Sequence, residues 1–557
     1  MNPSAEPGSA LRAALRGAAG HADAWLATLA SRPVRPADTA ADVLARLDEP
    51  LPEAPHDPVA VIDALVEAVG DGLTATGSPR FFGYVVGGTL PAALAADLLA
   101  VVWDQNAALA SLSPAASAVE QVAGRWVTQA LGLPATASVG FTTGTQMAHV
   151  TALAAARHRV LANVGWDVGA DGLAGAPPVR VLAGADRHTT VDAALRLLGF
   201  GSRGIITVAG DGRGRMRPDA LRAALTATAT TAGDRRVPTI VIAQVGEINT
   251  GAADPLEQIC ALARAHGAWV HVDGAFGLWA AVSGTARRRA LVAGAGDADS
   301  WATDGHKWLN VPYDCGIAIV ADRAAHRRAM VAPADYFPSD GAGALDPVDW
   351  TPEFSRRART FAVYAALRSL GRTGLRELVD RCCDLAEHAA GRLAVLPGVR
   401  VLNAVAPSAG SGLAVPLNQV LLHVEPLADA RAAPDLGPAT AGGEAQRVAD
   451  RLTREVTATV TAGGEAYLTG TVWRGRAAMR LSVSNWSTTR AEVDRAVDVI
   501  AAAVEAARRV QVPPLDVPAT DAPATGVPAT GVPATGVPTI TQAAGVAAPR
   551  GVRSHGR

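Results

Sequence analysis

Lys307 is the only lysine in a chain of 557 residues whose lysines and arginines together number 50. Arginine has taken every other basic position that is not histidine. Arginine is always charged and cannot serve as a neutral amine nucleophile, whereas a lysine whose pKa falls on burial can, and it can form a Schiff base. Lys307 sits in Trp301-Ala-Thr-Asp-Gly-His-Lys-Trp-Leu-Asn310, directly after His306. Thirty-four residues upstream, Trp269-Val-His-Val-Asp-Gly-Ala275 reads as a buried strand ending in an acid, Asp273. An amine for a carbonyl and a carboxylate for a ring nitrogen are the two groups that an aldehyde cofactor with a pyridine ring requires.

Two further segments could serve such a cofactor. In Gly140-Phe-Thr-Thr-Gly-Thr-Gln-Met-Ala148 a small turn opens a helix that runs to about Arg159. Free N–H groups at the positive end of a helix dipole make a phosphate cradle, although Thr142 or Thr143 could equally be an ordinary cap. Ala185-Asp-Arg-His188-Thr-Thr190 follows a predicted strand and precedes a helix. In an open α/β sheet, residues just past the carboxyl ends of strands line the crevice, where an imidazole can stack on a flat ring.

These residues need a sheet to position them. Apolar, β-branched runs predict strands at 179–182, 239–243, 268–272 and 316–320, with helical patterns at 190–199 and 255–266 between them. The alternation from 85 to 375 predicts an α/β domain with a largely parallel, buried sheet. Before it, residues 1–84 read as a helical segment: an Ala/Leu-rich helix over 9–31, and a second helix opened by Asp57-Pro58. After it, residues 376–509 read as a smaller α+β domain, with a strand-like run at 418–423. From Val517 the unit Val-Pro-Ala-Thr-Gly recurs, and 510–557 is predicted to be disordered because it offers little apolar surface to bury.

Composition narrows the function classes. Apolar residues make up 49% of the chain, enough for a large core, and a formal charge of −2 gives no reason to expect nucleic acid or an anionic membrane as partner. Cys260, Cys315, Cys382 and Cys383 form no metal-type pair, which predicts a reduced, cytoplasmic setting. The first thirty residues lack an apolar signal core, and no stretch is long and apolar enough to span a membrane.

The ordered series of motifs resembles the group II pyridoxal-5′-phosphate-dependent amino-acid decarboxylases, of the aspartate-aminotransferase fold type I. The series runs Arg80-Phe-Phe-Gly83, Ser113-Pro114 with Glu120, Thr142-Thr-Gly-Thr-Gln146, His188, Gly246-Glu-Ile-Asn-Thr-Gly251 with Asp254, and His271-Val-Asp-Gly-Ala275. It continues with Ala298-Asp-Ser300, His306-Lys307, Pro352-Glu-Phe-Ser-Arg-Arg357, Arg480-Leu-Ser-Val-Ser-Asn485 and Thr488-Thr489. The resemblance spans about 80–505 and implies pyridoxal 5′-phosphate as cofactor, an L-amino acid as substrate and a homodimer with 1–84 at its interface.

Position by position, it implies that Lys307 forms the internal aldimine and that Asp273 pairs with the ring nitrogen. Ala275 and His188 take the two ring faces, Thr145 and Gln146 bind phosphate, and Ser300 and His306 lie near it. Arg480 meets a substrate carboxylate. Tyr336, in Pro333-Ala-Asp-Tyr-Phe337, falls where decarboxylases keep the tyrosine that protonates the carbanion after carbon dioxide leaves. A phenylalanine there would point to aldehyde formation instead, and Phe337 is adjacent. Thr145-Gln146 stands where the family often has Gly-Ser, and Gly246-Glu-Ile where it often has Gly-Thr-Thr, so Glu247 brings a carboxylate toward the cofactor. The fold also serves transamination and, without catalysis, simple binding. Decarboxylation to the amine is the expected reaction.

Overall fold

The computed structural model describes residues 7–227, 237–331, 346–405, 413–426 and 438–511. The chain divides into two units, Met1–Gln511 and Val512–Arg557, and the description below concerns the first. The repeat tail expected from 510 lies, from Val512 onward, outside the described residues, as does Tyr336.

Seven strands build the central sheet: β1 (Ser138–Thr142), β2 (Arg180–Gly184), β3 (Ile205–Val208), β4 (Thr239–Gln244), β5 (Trp269–Asp273), β6 (Ser300–Asp304) and β7 (Gly316–Val320). Their order is β1-β7-β6-β5-β4-β2-β3. The run from β6 through β3 is parallel, and β7 is antiparallel to both of its neighbours, β6 and β1. The carboxyl ends of β1 and β6 therefore face the same edge as those of β5, β4 and β2. Every residue of β5, β6 and β7 is buried, as expected when helices cover both faces of a sheet.

The predicted strands at 179–182, 239–243, 268–272 and 316–320 fall on β2, β4, β5 and β7 within a residue or two, and three strands, β1, β3 and β6, went unread. The helix expected to open near residue 145 is Thr145–Ala162, and that at 190–199 is Thr189–Leu197. At the front of the chain, helices occupy Pro7–Thr28, Ala40–Leu47 and Pro58–Val69. The last begins on Pro58, and the Asp57 carboxylate accepts from the N–H groups of Val59 and Ala60.

A helix over Thr360–Ala394, broken at Gly371 by a left-handed φ of 60°, leads into a second sheet. That sheet contains β8 (Val399–Val401), β9 (Gln419–Val424), β10 (Thr469–Trp473) and β11 (Arg476–Ser482) in the order β10-β11-β9-β8, all antiparallel. Helices Pro438–Gly463 and Arg490–Gln511 complete this part.

The segment after residue 78 ties the two sheets together. Phe82 N donates to Tyr467 O, and Ser482 N donates to Phe82 O. Farther on, Leu90 N donates to Asn310 O at 2.8 Å, three residues past Lys307. Gly87 makes that approach possible: a Cβ there would lie 1.7 Å from the Lys307 carbonyl oxygen.

Candidate active site

Five of the residues singled out above converge on the carboxyl edge of the large sheet. Asp273 is the last residue of β5, and Lys307 lies in the loop after β6. His188 caps helix Thr189–Leu197 just past β2, and Thr145 opens the helix after β1. The ring of His306, next to Lys307, faces the same turn: a Cβ on Gly144 would sit 3.6 Å from its Cε1.

Lys307 is held from both sides. Asn310 adopts a left-handed φ of 55°, and its side-chain amide donates to Trp308 O and Ser484 O while its oxygen accepts from Trp486 N. The loop thus cannot drift from the end of β11. The Lys307 amine lies 3.1 Å from Asp304 Oδ2, and Asp304 Oδ1 accepts from Thr145 N at 2.7 Å. One nearly buried carboxylate therefore ties the amine to the helix start. His306 Nδ1 accepts from Cys315 N at 3.2 Å, which leaves its proton on Nε2, 3.5 Å from Asp304 Oδ1. Burial pushes the His306 pKa down despite Asp304, so the ring is neutral, and it stacks on Tyr313 at 4.4 Å.

Asp273 is 5% exposed. Burial opposes its charge, yet its pKa falls below the ordinary carboxylate range because His149, His188 and Lys307 surround it and His149 reaches it. Oδ1 accepts from Ala275 N at 3.1 Å, and Oδ2 lies 3.6 Å from His149 Nε2. His188 is also kept neutral, its pKa lowered chiefly by burial and further by Lys307, His149 and Arg480, against Asp273. Its Nδ1 is engaged by Thr190 Oγ1 at 2.8 Å, which holds the ring in place.

Arg480, on β11, is buried. Nη1 donates to Ile248 O at 3.2 Å, and Nε has no partner among the described residues. Glu247 does not turn toward the cofactor position. Its carboxylate accepts from Asn249 N, Asn249 Nδ2, Thr250 N and Thr250 Oγ1, all within its own turn. Burial still raises its pKa in spite of those bonds.

Ser300 is a correction. The expectation placed it near phosphate, but it opens β6, at the opposite end of the strand from Asp304. Its Oγ is 2.9 Å from both Trp269 Nε1 and His271 Nδ1 in the sheet interior. Gln146 is exposed on the first turn of its helix, and Ala275 is half-buried directly past Asp273. Tyr336 lies outside the described residues. Sequence reasoning missed Asp304 and His149. Asp304 stands three residues before Lys307 at the end of an unread strand, and His149 lies one helical turn after Thr145.

These residues fit pyridoxal 5′-phosphate. Thr145 Oγ1 is buried at a helix N-terminus with no partner among the described residues, a costly state that an anionic oxygen relieves. A buried anion, a neutral imidazole and a lysine amine complete what the ring and aldehyde require.

Residues 41–401 match the family model described as the pyridoxal-dependent decarboxylase conserved domain. The chain is 31% identical over 466 residues to L-2,4-diaminobutyrate decarboxylase of Rhizobium meliloti (strain 1021), covering 83% of this chain and 85% of that protein. Among solved structures, Oryza sativa TDC with PLP and tryptamine superposes with a TM-score of 0.78 at 25% identity, covering 91% of this chain and 99% of that one. Rhodiola rosea 4-hydroxyphenylacetaldehyde synthase shares the fold at a TM-score of 0.74 and 23% identity, covering 91% and 99%. With amine, acid and cradle on one sheet edge and well over half of its length matched by the family model, the chain belongs to the pyridoxal-phosphate-dependent decarboxylases, the fold type I carboxy-lyases that act on amino acids.

Proposed function

We propose that the chain releases carbon dioxide from an L-amino acid and returns the amine, with Lys307, Asp273, His188 and Arg480 as the working groups. The observation that carries this reading is the meeting of the chain's single lysine with a buried, ionised Asp273 and a partnerless Thr145 hydroxyl on one sheet edge. Pyridoxal phosphate, when bound, supplies an aldehyde for an amine and a ring that withdraws electrons from the substrate's α-carbon.

The chain's residues do the rest. Lys307 offers its amine to hold the cofactor and takes it back when product leaves. Asp273 keeps a negative charge that would serve a ring nitrogen as counterion, and His188 and Ala275 would hold the ring. Thr145, Gln146 and His306 surround the phosphate. Arg480, which donates to the Ile248 carbonyl and feels the Glu247 charge without a direct ion pair among the described residues, is the cation for a substrate carboxylate.

Tyr336 is the proposed acid for the α-carbon. Tyr336→Phe is expected to lower amine output about a hundredfold, the usual scale for a lost general acid, while carbon dioxide release continues. Normal amine output in that variant would remove Tyr336 from the mechanism. The reaction itself is tested by offering the common L-amino acids and following amine and carbon dioxide together. Aldehyde in place of amine, or amino-group exchange with a keto acid and no carbon dioxide, would overturn the reading.

We also infer a homodimer. Helix Pro91–Trp103 exposes Leu98 at 50%, Val101 at 57% and Trp103 at 48%, and Leu11 on the first helix is 73% exposed. Apolar surface of this kind marks an interface. Sedimentation is expected to give twice the 56.7 kDa chain mass, and an active monomer would contradict it. The four cysteines are all free, which supports a reducing compartment, the cytoplasm.

A further inference from the structure

Behind Asp273 runs a line of buried polar side chains that the reaction described above does not use. His149, on helix Thr145–Ala162, and His271 and Ser300, on β5 and β6, are each fully buried. Trp269 Nε1 lies 2.9 Å from Ser300 Oγ, Ser300 Oγ lies 2.9 Å from His271 Nδ1, and His271 Nε2 lies 2.9 Å from His149 Nδ1. His149 Nε2 then faces Asp273 Oδ2 at 3.6 Å and has no hydrogen-bond partner among the described residues.

The direction of this line follows from its first member. An indole N–H can only donate, so Ser300 Oγ accepts from Trp269. If the Ser300 hydroxyl then donates to His271 Nδ1, the His271 proton sits on Nε2 and is given to His149 Nδ1. That leaves the His149 proton on Nε2, aimed at the carboxylate. Each donor then has an acceptor. The reverse direction strands the Ser300 proton in the sheet interior and turns a bare ring nitrogen toward an anion. An unmet buried donor forfeits its hydration without compensation, so the forward direction prevails. Burial also holds the His271 pKa well below its ordinary value, in keeping with a neutral ring.

We propose that His149 is a positioning residue: fixed through His271, Ser300 and Trp269, it directs a ring N–H at Asp273 and so keeps that carboxylate ionised and aimed at the cofactor's ring nitrogen. The proposal rests on the reading that Asp273 faces that nitrogen. His188 and Lys307 also bear on the Asp273 charge, and Asp186, Arg187 and Asp254 line the small cavity beside it. His149 reaches it from helix Thr145–Ala162 and is itself tied to β5 through His271.

The test separates an electrostatic role from packing. Full-length protein is stripped and reconstituted with pyridoxal phosphate or with its deaza analogue, in which C–H replaces the ring nitrogen. His149→Leu fills the space without a donor, and His149→Gln places an amide N–H near the original Nε2. His149→Leu is expected to weaken binding of pyridoxal phosphate about tenfold, His149→Gln by no more than about threefold, and neither is expected to change binding of the analogue by more than about twofold. Equal weakening of both ligands by His149→Leu, or no weakening of either, would overturn the proposal. Should His149→Leu fail to fold, Ser300→Ala, which removes the hydroxyl that sets the direction, carries the same comparison with the same sign. Borohydride fixation of both ligands at Lys307 in the unaltered chain checks the underlying site independently.

Discussion

Lys307→Arg should reduce turnover to background and abolish the visible absorbance of bound cofactor. The guanidinium stays charged at every pH at which the protein is folded, so it cannot present a neutral amine to an aldehyde. The substitution is otherwise mild. The Lys307 amine already lies 3.1 Å from Asp304 Oδ2, and a guanidinium can take up that ion pair. The loop is fixed by Asn310 and the close approach of Gly87, neither of which depends on the Lys307 side chain. Thermal unfolding should therefore change little while activity vanishes, and that contrast distinguishes a chemical role from a structural one. Borohydride treatment of the loaded, unaltered protein should mark a single internal peptide, because the chain holds one lysine. A mark elsewhere, or residual activity in the arginine variant, would defeat the assignment.

What the sequence revealed and what it concealed have a common cause. Strands β4 and β5 were legible because each buries five consecutive residues, mostly β-branched in β4 and alternating Val with Trp, His and Asp in β5. Strand β6 is just as buried, but it reads Ser-Trp-Ala-Thr-Asp and looks like a loop. Its polar atoms are met inside the protein: Ser300 by Trp269 and His271, Thr303 by the Ala275 carbonyl, and Asp304 by Thr145 N. Local hydrophobicity cannot register such pairings, because the partners come from other strands and helices. Lys307 and Asp273 were legible because their chemistry is rare and their spacing meaningful. Ser300 was misplaced because a motif fixes a residue's position along the chain but not the end of the strand to which its hydroxyl belongs. His149 was invisible for the same reason: its partner His271 is 122 residues away. The carboxylate of Glu247 was foreseen, but its consumption by Asn249 and Thr250 depended on a turn that only the folded backbone reveals.

Asp273→Ala should slow turnover by about a thousandfold, the upper range for removing one preorganised electrostatic partner, and should also loosen the cofactor. Asp273 resists neutralisation although burial favours it, because His149, His188 and Lys307 all gain from its charge. Asp273 would give a bound cofactor's ring nitrogen the counterion that keeps it protonated, the state in which such a ring withdraws electrons; an alanine methyl group would not. The sign of the pH effect follows. The carboxylate's folded pKa lies below its unfolded value, so the stability it contributes is present above the unfolded value near 4 and is lost as pH falls through the folded one. The alanine variant should therefore lose stability relative to the unaltered protein at neutral pH and less in strong acid. Asp273→Glu keeps the charge but moves the carboxylate outward by a methylene, and it should fall between the two. The decisive comparison is between cofactors. With an analogue lacking the ring nitrogen, the carboxylate has nothing to hold, and Asp273→Ala should cost far less than it does with pyridoxal phosphate. If the penalty is the same with both, Asp273 is a strand-end acid that serves only its neighbours His149 and Ala275.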